Sequence, residues 1–157
     1  MPPRPLDAID LRILRTLQRD SSLSNVALAA QVGLSPSPCL ARVRALEKSG
    51  AIARYVALVN PEALGLTISV FIQVTLERQV KSALEEFEAR MQGFDEVMEC
   101  YLMTGDSDYL VRLVVRDIAA LERFIVEELT KIPGVANIKS GFALKQVKYK
   151  TELPVRG

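Results

Sequence analysis

The chain has 157 residues, of which 49% are hydrophobic and 25% are charged, and its net charge is +1. This balance is typical of a globular protein with a sizeable core and excludes a disordered or fibrous chain. The sequence contains no histidine and only two cysteines, Cys39 and Cys100. Histidine-dependent catalysis, histidine metal sites and a disulfide scaffold are thereby excluded. We expect a cytoplasmic protein without a cofactor or metal, and the short apolar stretches predict no membrane span.

Basic residues are concentrated in the first part of the chain. Residues 1–60 contain eight lysines and arginines against four acidic residues, whereas residues 61–157 contain twelve against fifteen. Such an asymmetry is expected when one part of a chain binds a polyanion. The surplus is modest and is weak evidence by itself, because many protein surfaces are this uneven by chance.

Three short helices are predicted in this basic part. The first has Asp7 as its N-cap, the second extends over 24–31 and ends at Gly33, and the third begins at Ser35 and ends before Gly50. Three helices of this length, with a tight glycine turn before the last, indicate a helix-turn-helix unit.

The third helix has an apolar side and an outward side. Helical spacing places Cys39, Val43 and Leu46 toward the other helices, and it places Ser37, Leu40, Ala41, Arg44, Ala45 and Lys48 outward. A recognition helix needs hydroxyl, basic and small apolar groups on such a side to reach phosphates and base edges. The alternative for Arg44 and Lys48 is an ordinary solvated face. Arg42 lies at the edge of the apolar side, where it either pairs with Asp10 or is a plain surface arginine. The predicted DNA-binding residues are Ser35, Ser37, Pro38, Leu40, Ala41, Arg42, Arg44 and Lys48.

Beyond these helices the periodicity changes. A short strand is predicted over Tyr55–Asn60 and a hinge over Pro61–Gly65. The segments that follow are strands over 68–77, 97–104, 109–115 and 136–149, with helices over 80–91 and 118–132. The order βαββαβ predicts a ferredoxin-like sandwich and an α+β fold class. We divide the chain into a winged-type helix-turn-helix domain (1–54), a hinge strand and linker (55–66) and a ferredoxin-like domain (67–157).

One face of the predicted sheet is more aromatic than a solvated face needs. The alternation places Phe71, together with Tyr101 and Phe142, on the face away from the helices. A strand register shifted by one residue would instead place them in the core.

The sequence resembles the leucine-responsive/asparagine regulator (Lrp/AsnC) family of transcription regulators over nearly its whole length. In the first part the matching residues are Leu6, Asp7, Asp10, Ile13, Leu14, Leu17, Gln18, Ser24, Asn25, Val26, Leu28, the run 32–40, Arg42, Val43, Arg44, Leu46 and Glu47. In the second part they are Asn60, Pro61, Gly105, Asp106, Asp108, Tyr109, Leu110, Pro133, Gly134 and Val135. Two positions depart from the family pattern: Ser22 and Ala41 stand where the family often has an arginine and a charged residue.

The resemblance implies a DNA-binding domain, a hinge strand, and a C-terminal domain that pairs back-to-back through its sheet. Family dimers assemble further, to octamers in many members, and bind small amino acids between subunits. The ending 140–149 is similar to a branch that responds to amino acids such as leucine, methionine or cysteine. We therefore expect double-stranded DNA, an amino acid and further copies of this chain as partners, and no membrane.

The turn between the two hairpin strands is the predicted effector site. Asp106 and Asp108 can accept from the ammonium of an amino acid, while Gly105 and Ser140 can donate to its carboxylate. Glycine and aspartate are also ordinary turn residues, so the motif could serve only to close a hairpin. The predicted effector-binding residues are Tyr101, Thr104, Gly105, Asp106, Asp108, Tyr109, Ser140 and Phe142.

From these features we predict an amino-acid-responsive transcriptional regulator that binds operator DNA as a dimer or higher oligomer and is not an enzyme. One alternative is an architectural protein that binds DNA without sequence preference or effector. A ferredoxin-like enzyme with a helical appendage is less favoured, because the sequence has neither a histidine nor a glycine-rich phosphate loop.

Overall fold

A computed structural model describes residues 5–155, which form two compact units. The first unit consists of the chain up to Leu58 together with the segment from Val147 onward, and the second consists of Val59–Gln146. The predicted division differs at the C-terminal end, because residues 147–155 pack within the first unit. That difference has its cause in contacts with the first helix, described below.

The first unit contains three helices. They are α1 (Ala8–Arg19), α2 (Asn25–Val32) and α3 (Pro36–Lys48). The Asp7 carboxylate accepts hydrogen bonds from the first-turn amides of α1, and the Ser24 hydroxyl accepts one from Ala27 in α2. Gly33 ends α2 with a φ of 75°, in the left-handed region that glycine adopts without strain. The predicted three-helix unit is confirmed, and Asp7 and Gly33, which the prediction used, cap the start of α1 and the end of α2.

The helices pack around a small apolar core. Its buried members are Ile13, Leu28, Ala29, Val32, Cys39 and Leu46. Burying a valine, leucine or isoleucine side chain stabilises a fold by roughly 1.5–3 kcal/mol. Cys39, which helical spacing places toward the other helices, is fully buried.

The predicted strand over Tyr55–Asn60 is wrong. This segment is extended, but it pairs with no other strand among the described residues. Its apolar side chains remain exposed, with Val56 57% and Leu58 62% accessible. β-Propensity alone does not make a strand, because the backbone needs a neighbour to accept and donate its hydrogen bonds. The hinge that follows contains one short 3-10 turn, Pro61–Leu64.

The second unit is a four-stranded antiparallel sheet with helices on one face. Its elements are β1 (Ile68–Leu76), α4 (Lys81–Gln92), β2 (Val97–Leu102), β3 (Tyr109–Val115), α5 (Ile118–Arg123) and β4 (Val135–Phe142). The strand order is β2-β3-β1-β4. The predicted βαββαβ order and α+β class are confirmed. The second predicted helix is interrupted, because after α5 the chain winds as a π-helix over Phe124–Glu128 and a 3-10 turn over Leu129–Lys131.

The core of this unit lies between the sheet and its helices. Alternate residues of β1 are buried on the helix side, as the sequence alternation predicts: Val70, Ile72, Val74 and Leu76. Phe87 and Met91 of α4 and Leu121 of α5 cover them. The opposite face of the sheet carries no described helix.

β4 is shorter than the predicted strand over 136–149, so the prediction beyond Phe142 is wrong. Phe142 pairs with Val70, and the Ala143 N–H still donates to the Ser69 carbonyl at 3.0 Å. β1 begins at Ile68, two residues before Val70, so little of β1 remains for β4 to pair with beyond Phe142. The same register corrects Phe142, which lies on the helix side with Val70 and not on the open face.

The other two aromatic predictions for the open face are confirmed. Phe71 pairs with Arg112 across β3, and Tyr101 pairs with Leu110, in the opposite phase to the buried residues. Phe71 is 40% and Tyr101 52% accessible. None of the described helices is long and apolar enough to cross a membrane.

Candidate DNA-binding and effector sites

The outward side of α3 is accessible over its full length. Ser37, Ala41, Arg44 and Lys48 are all exposed, and Leu40 and Ala45 lie exposed beside them. Cys39 and Leu46 are buried on the opposite side, and Val43 packs against the same core. The predicted two-sided character of α3 is confirmed.

The beginning of α3 offers few hydrogen-bond donors to an anion. Pro36 and Pro38 have no N–H, so Ser37 carries the only free amide of the three residues. The Ser35 side chain makes no capping hydrogen bond. Hydroxyl groups, more than helix amides, are therefore the polar groups that the start of α3 presents.

Arg42 points toward the other helices. Its Nη1 lies 2.7 Å from Asp7 Oδ2 and 2.7 Å from Asp10 Oδ1. The predicted pairing with Asp10 is confirmed, and it extends to the residue that caps α1. The arginine side chain is 26% exposed, whereas that of Asp10 is 4% exposed. This cluster ties the outward-facing helix to the first turn of α1, and a DNA contact by the same guanidinium would have to break it.

The electrostatics of this cluster favour a charged Asp7 carboxylate. The pKa of Asp7 is lowered to about 2, first by the hydrogen bond from the Asp10 N–H and then by the Arg42 guanidinium. The same pairing raises the pKa of Arg42. The ion pair therefore persists throughout the neutral range.

A second link between helices was not predicted from the sequence. Asn25 Nδ2 donates to the Pro36 carbonyl at 2.7 Å and so joins the start of α2 to the start of α3. Its signal in the sequence is weak, because an asparagine after an N-cap serine is also an ordinary first-turn residue.

The turn between β2 and β3 is held against the end of β1. The Met103 N–H donates to the Asp108 carbonyl at 2.8 Å, and the Asp108 N–H donates to the Val74 carbonyl at 2.9 Å. The Asp108 carboxylate is buried. It accepts hydrogen bonds from the Leu76 N–H at 2.7 Å and from Gln79 Nε2 at 2.5 Å. Asp108 is thus directed into the fold and fixes the turn, while Thr104, Gly105 and Asp106 are exposed at its tip.

The two predicted tyrosines have different surroundings. Tyr109 is buried, stacks on Phe87 with ring centroids 4.4 Å apart, and donates to Glu88 Oε1 at 2.8 Å. Burial raises its pKa above the ordinary value, so the phenol stays protonated. Tyr101 is exposed on the open face and donates to Glu99 Oε2 at 3.0 Å.

Glu99 also binds Arg112 on the open face. Arg112 Nε and Nη2 lie 3.0 and 2.9 Å from Glu99 Oε1, and this contact lowers the pKa of the carboxyl. The pairing was not predicted, since it depends on the β2–β3 register.

Ser140 and Phe142 lie apart from the turn. On β4 they pair with Ile72 and Val70 of β1. These two β1 residues are four and six positions from Leu76, whose N–H donates to Asp108. At about 3.3 Å per residue these separations are roughly 13 and 20 Å. The predicted effector residues of one chain therefore form two groups, one at the β2–β3 hairpin and one on the edge strand β4.

The acidic and cysteine side chains in the described part of the chain do not cluster as metal ligands. No group of three or more cysteine, aspartate or glutamate side chains is arranged there to hold a metal ion. Burial raises the pKa of the Cys100 thiol to about 11, so it is not a reactive thiolate.

Two family models match the chain in this order. Residues 6–53 match a winged helix-turn-helix DNA-binding domain, and residues 69–153 match an Lrp/AsnC ligand binding domain. The leucine-responsive regulatory proteins of Escherichia coli K12 and Salmonella typhimurium are each 41% identical over 155 residues, covering 99% of this chain and 94% of theirs.

Solved structures agree with these matches. A transcriptional regulator of Neisseria meningitidis, in complex with L-methionine, superposes with a TM-score of 0.91 at 40% identity, covering 96% of this chain and 97% of that one. An AsnC family regulator of Agrobacterium tumefaciens gives a TM-score of 0.90 at 42% identity, covering 95% and 97%.

Proposed function

Because this chain belongs to the Lrp/AsnC family of transcriptional regulators, we propose that it binds operator DNA through α3 and responds to a small amino acid. The exposed side of α3, on a helix anchored by Arg42, is the observation that carries the DNA-binding part. The L-methionine bound to the Neisseria regulator supports an amino acid as the effector. Operator binding implies a cytoplasmic protein.

In the proposed complex α3 lies in the major groove. Arg44 and Lys48 contact guanine or phosphate, and Ser35 and Ser37 contact phosphate or base. Pro38, Leu40 and Ala41 supply apolar contacts, for which thymine methyl groups are suitable partners. Arg42 holds α3 on α1 and is not among the contacts we propose.

Arg44→Ala should weaken operator binding by about 1–3 kcal/mol, with relaxed specificity at one base pair, if Arg44 reads a base. If Arg44 contacts only phosphate, affinity should fall for every DNA sequence. The slope of log K against log salt concentration should then decrease in magnitude by about one. Titration of labelled duplexes at several salt concentrations distinguishes the two results. Arg12→Ala, on an exposed residue of α1, is the control. Unchanged affinity and salt slope in Arg44→Ala would remove α3 from the groove.

The amino acid is proposed to bind against the tip of the β2–β3 turn. Asp106 is the exposed carboxylate there and would accept from the ligand ammonium. Asp108 would position the turn, since neutral groups of Leu76 and Gln79 already occupy its carboxylate. Ser140 and Phe142 lie on β4, so their part in such a site requires a second copy of the chain. An effector site between copies would accommodate both groups.

We further propose that the regulator acts as a dimer. The extended segment 53–59 lacks a strand partner among the described residues and leaves Tyr55, Val56, Leu58 and Val59 exposed. An extended segment whose backbone N–H and C=O groups have no strand partner is suited to pairing with another chain. The aromatic open face of the sheet supports the same conclusion. One helix-turn-helix reads too few base pairs for useful affinity, so two are needed.

Selection of binding sites from random-sequence DNA tests this function. We expect the full chain to enrich a pseudo-palindrome whose half-sites are separated by about one helical turn, 10–10.5 bp, or a multiple of it. Equal affinity for selected and unselected duplexes would instead indicate an architectural protein. A single half-site in the enriched sequence would contradict the dimer.

A further inference from the structure

The last described residues of the chain bind along α1. Arg15 donates from Nε and Nη2 to the Val155 carbonyl at 3.2 and 2.8 Å. Arg19 Nε forms an ion pair with Glu152 Oε1 at 3.1 Å. We call Glu152–Val155 the C-terminal strap.

Gln18 binds the strap through its backbone. Its Oε1 accepts from the Leu153 N–H at 2.6 Å, and its Nε2 donates to the Leu153 carbonyl at 3.3 Å. The side-chain amide therefore replaces a neighbouring strand for this residue. Arg15, Gln18 and Arg19 are spaced at i, i+3 and i+4, which places them on one face of α1. The contacts thus form a docking site for an extended peptide.

The segment that leads to the strap is a second covalent connection between the two units. The chain passes from the helix-turn-helix unit to the second unit after Leu58, and it returns before Val147. Nine residues, 143–151, connect the end of β4 to the strap. β4 carries Ser140 and Phe142, two of the proposed effector residues. The docked strap is therefore connected to β4 by a short covalent segment.

The strap is only partly buried against α1. Leu153 is 72% exposed, and the Arg19 side chain is 73% exposed. Leu153 and Val155 line a cavity of about 380 Å³ together with Leu14 and Leu17, so their apolar contact with α1 is incomplete. Segments with few buried contacts and exposed hydrogen bonds open locally at low free energy, and moving elements of allosteric proteins are drawn from them.

We propose that the C-terminal strap is a releasable connection that couples the effector unit to the DNA-binding unit through Arg15 and Gln18 of α1. Effector binding and DNA binding each favour one state of the strap, docked or released. The coupling part of this proposal rests on the amino-acid response proposed above, whereas the docking part does not.

Hydrogen exchange of the full chain tests the docking. In the wild type the Leu153 amide should exchange more slowly than an unstructured amide, because Gln18 accepts from it. In the double variant Arg15→Met, Gln18→Met it should exchange at the unstructured rate. Arg12→Met, one turn earlier on α1, removes an arginine without touching the strap and should leave the protection intact. Unprotected exchange at Leu153 in the wild type overturns the strap.

The coupling is measured as the ratio of operator Kd with and without saturating L-methionine or L-leucine, using a duplex selected by the wild type. Allosteric ratios are typically about 5- to 150-fold. In the double variant, the ratio should fall to within about twofold of unity while the amino-acid Kd is retained. Leu153→Pro removes the N–H from the strap side and leaves α1 intact, so it should give the same loss.

The outcomes separate this proposal from the proposed function. A wild-type ratio retained in both strap variants overturns the coupling. Loss in the α1 variant but not in Leu153→Pro would mean that α1 itself was damaged, and this also overturns the strap. No binding of either amino acid by the wild type contradicts the effector proposed for these probes and the coupling together, whereas docking is decided by exchange alone.

Discussion

Replacing Arg42 with methionine should lower the free energy of unfolding of the helix-turn-helix unit by about 2–4 kcal/mol. Removing one partner of a buried ion pair costs about 3–5 kcal/mol, because the other charge is left uncompensated. Asp10, which has 3% of its surface exposed, loses its contact with Arg42 in this variant. The loss is expected toward the lower end, since Arg42 is partly exposed and the Asp7 N–H still donates to Asp10. Hydrogen exchange of the α1 and α3 amides in the full chain measures this loss in the free energy of unfolding.

The matched control for this prediction is Arg44→Met. Arg44 is exposed two residues later on the same helix, so its replacement should change stability by less than about 0.5 kcal/mol. Operator binding should fall in both variants for different reasons, through an unstable unit in one and a lost contact in the other. Equal stability of the two variants would show that the pair with Asp7 and Asp10 contributes nothing.

The same cluster gives the prediction a pH signature. Asp7 has a pKa of about 2 in the folded chain, against an ordinary value of 3.8. A carboxyl group with a lowered folded pKa stabilises above its unfolded pKa and loses that contribution as pH falls. Stability of the unit should therefore decline between about pH 4 and pH 2. Arg42→Met should weaken this decline without abolishing it, because the Asp10 N–H lowers the pKa more than the guanidinium does.

Local rules were sufficient for the elements that carry their own signals. Asp7 predicts the start of α1 and Gly33 the end of α2, and the alternation of β1 predicts which of its residues are buried. These features depend on neighbours within a few residues, so they can be predicted from a single sequence.

The failures concern features that depend on distant partners. The segments 55–60 and 144–149 have strand-like sequences, but neither pairs with a strand in the described chain. The sequence predicts Phe142 on the open face, but its pairing with Val70 of β1 places it on the helix side. This register depends on β1, so the alternation within β4 does not determine it. Gln18 and Leu153 of the strap are 135 positions apart in the sequence. No local sequence pattern predicts a contact over such a separation.

The effector site was predicted at the level of residue types but not of roles. Aspartates in a turn indicated a place for an ammonium group, and sequence could not tell which carboxylate faces solvent. The hydrogen bonds from Leu76 and Gln79 decide that Asp108 faces inward. Asp106 is left as the exposed carboxylate of the turn.

Asp108→Ala should weaken amino-acid binding at least about tenfold, equivalent to 1.4 kcal/mol, while operator binding without effector is retained. Alanine leaves the Leu76 N–H without its buried acceptor, which costs about 1–3 kcal/mol and loosens the turn.

Asp108→Asn keeps an oxygen for Leu76, and Gln79 can reorient to meet the new amide, so this variant should bind within a few-fold of the wild type. Thermal shift across the standard amino acids identifies the ligand, because a ligand that binds only the folded state stabilises it by RT ln(1 + [L]/Kd) and so raises the melting temperature. Asp106→Asn removes the exposed charge and should weaken the same ligand without destabilising the turn. Equal losses in Asp108→Asn and Asp108→Ala would show that Asp108 binds the ammonium by its charge, and normal binding in both would place the ligand elsewhere on the protein.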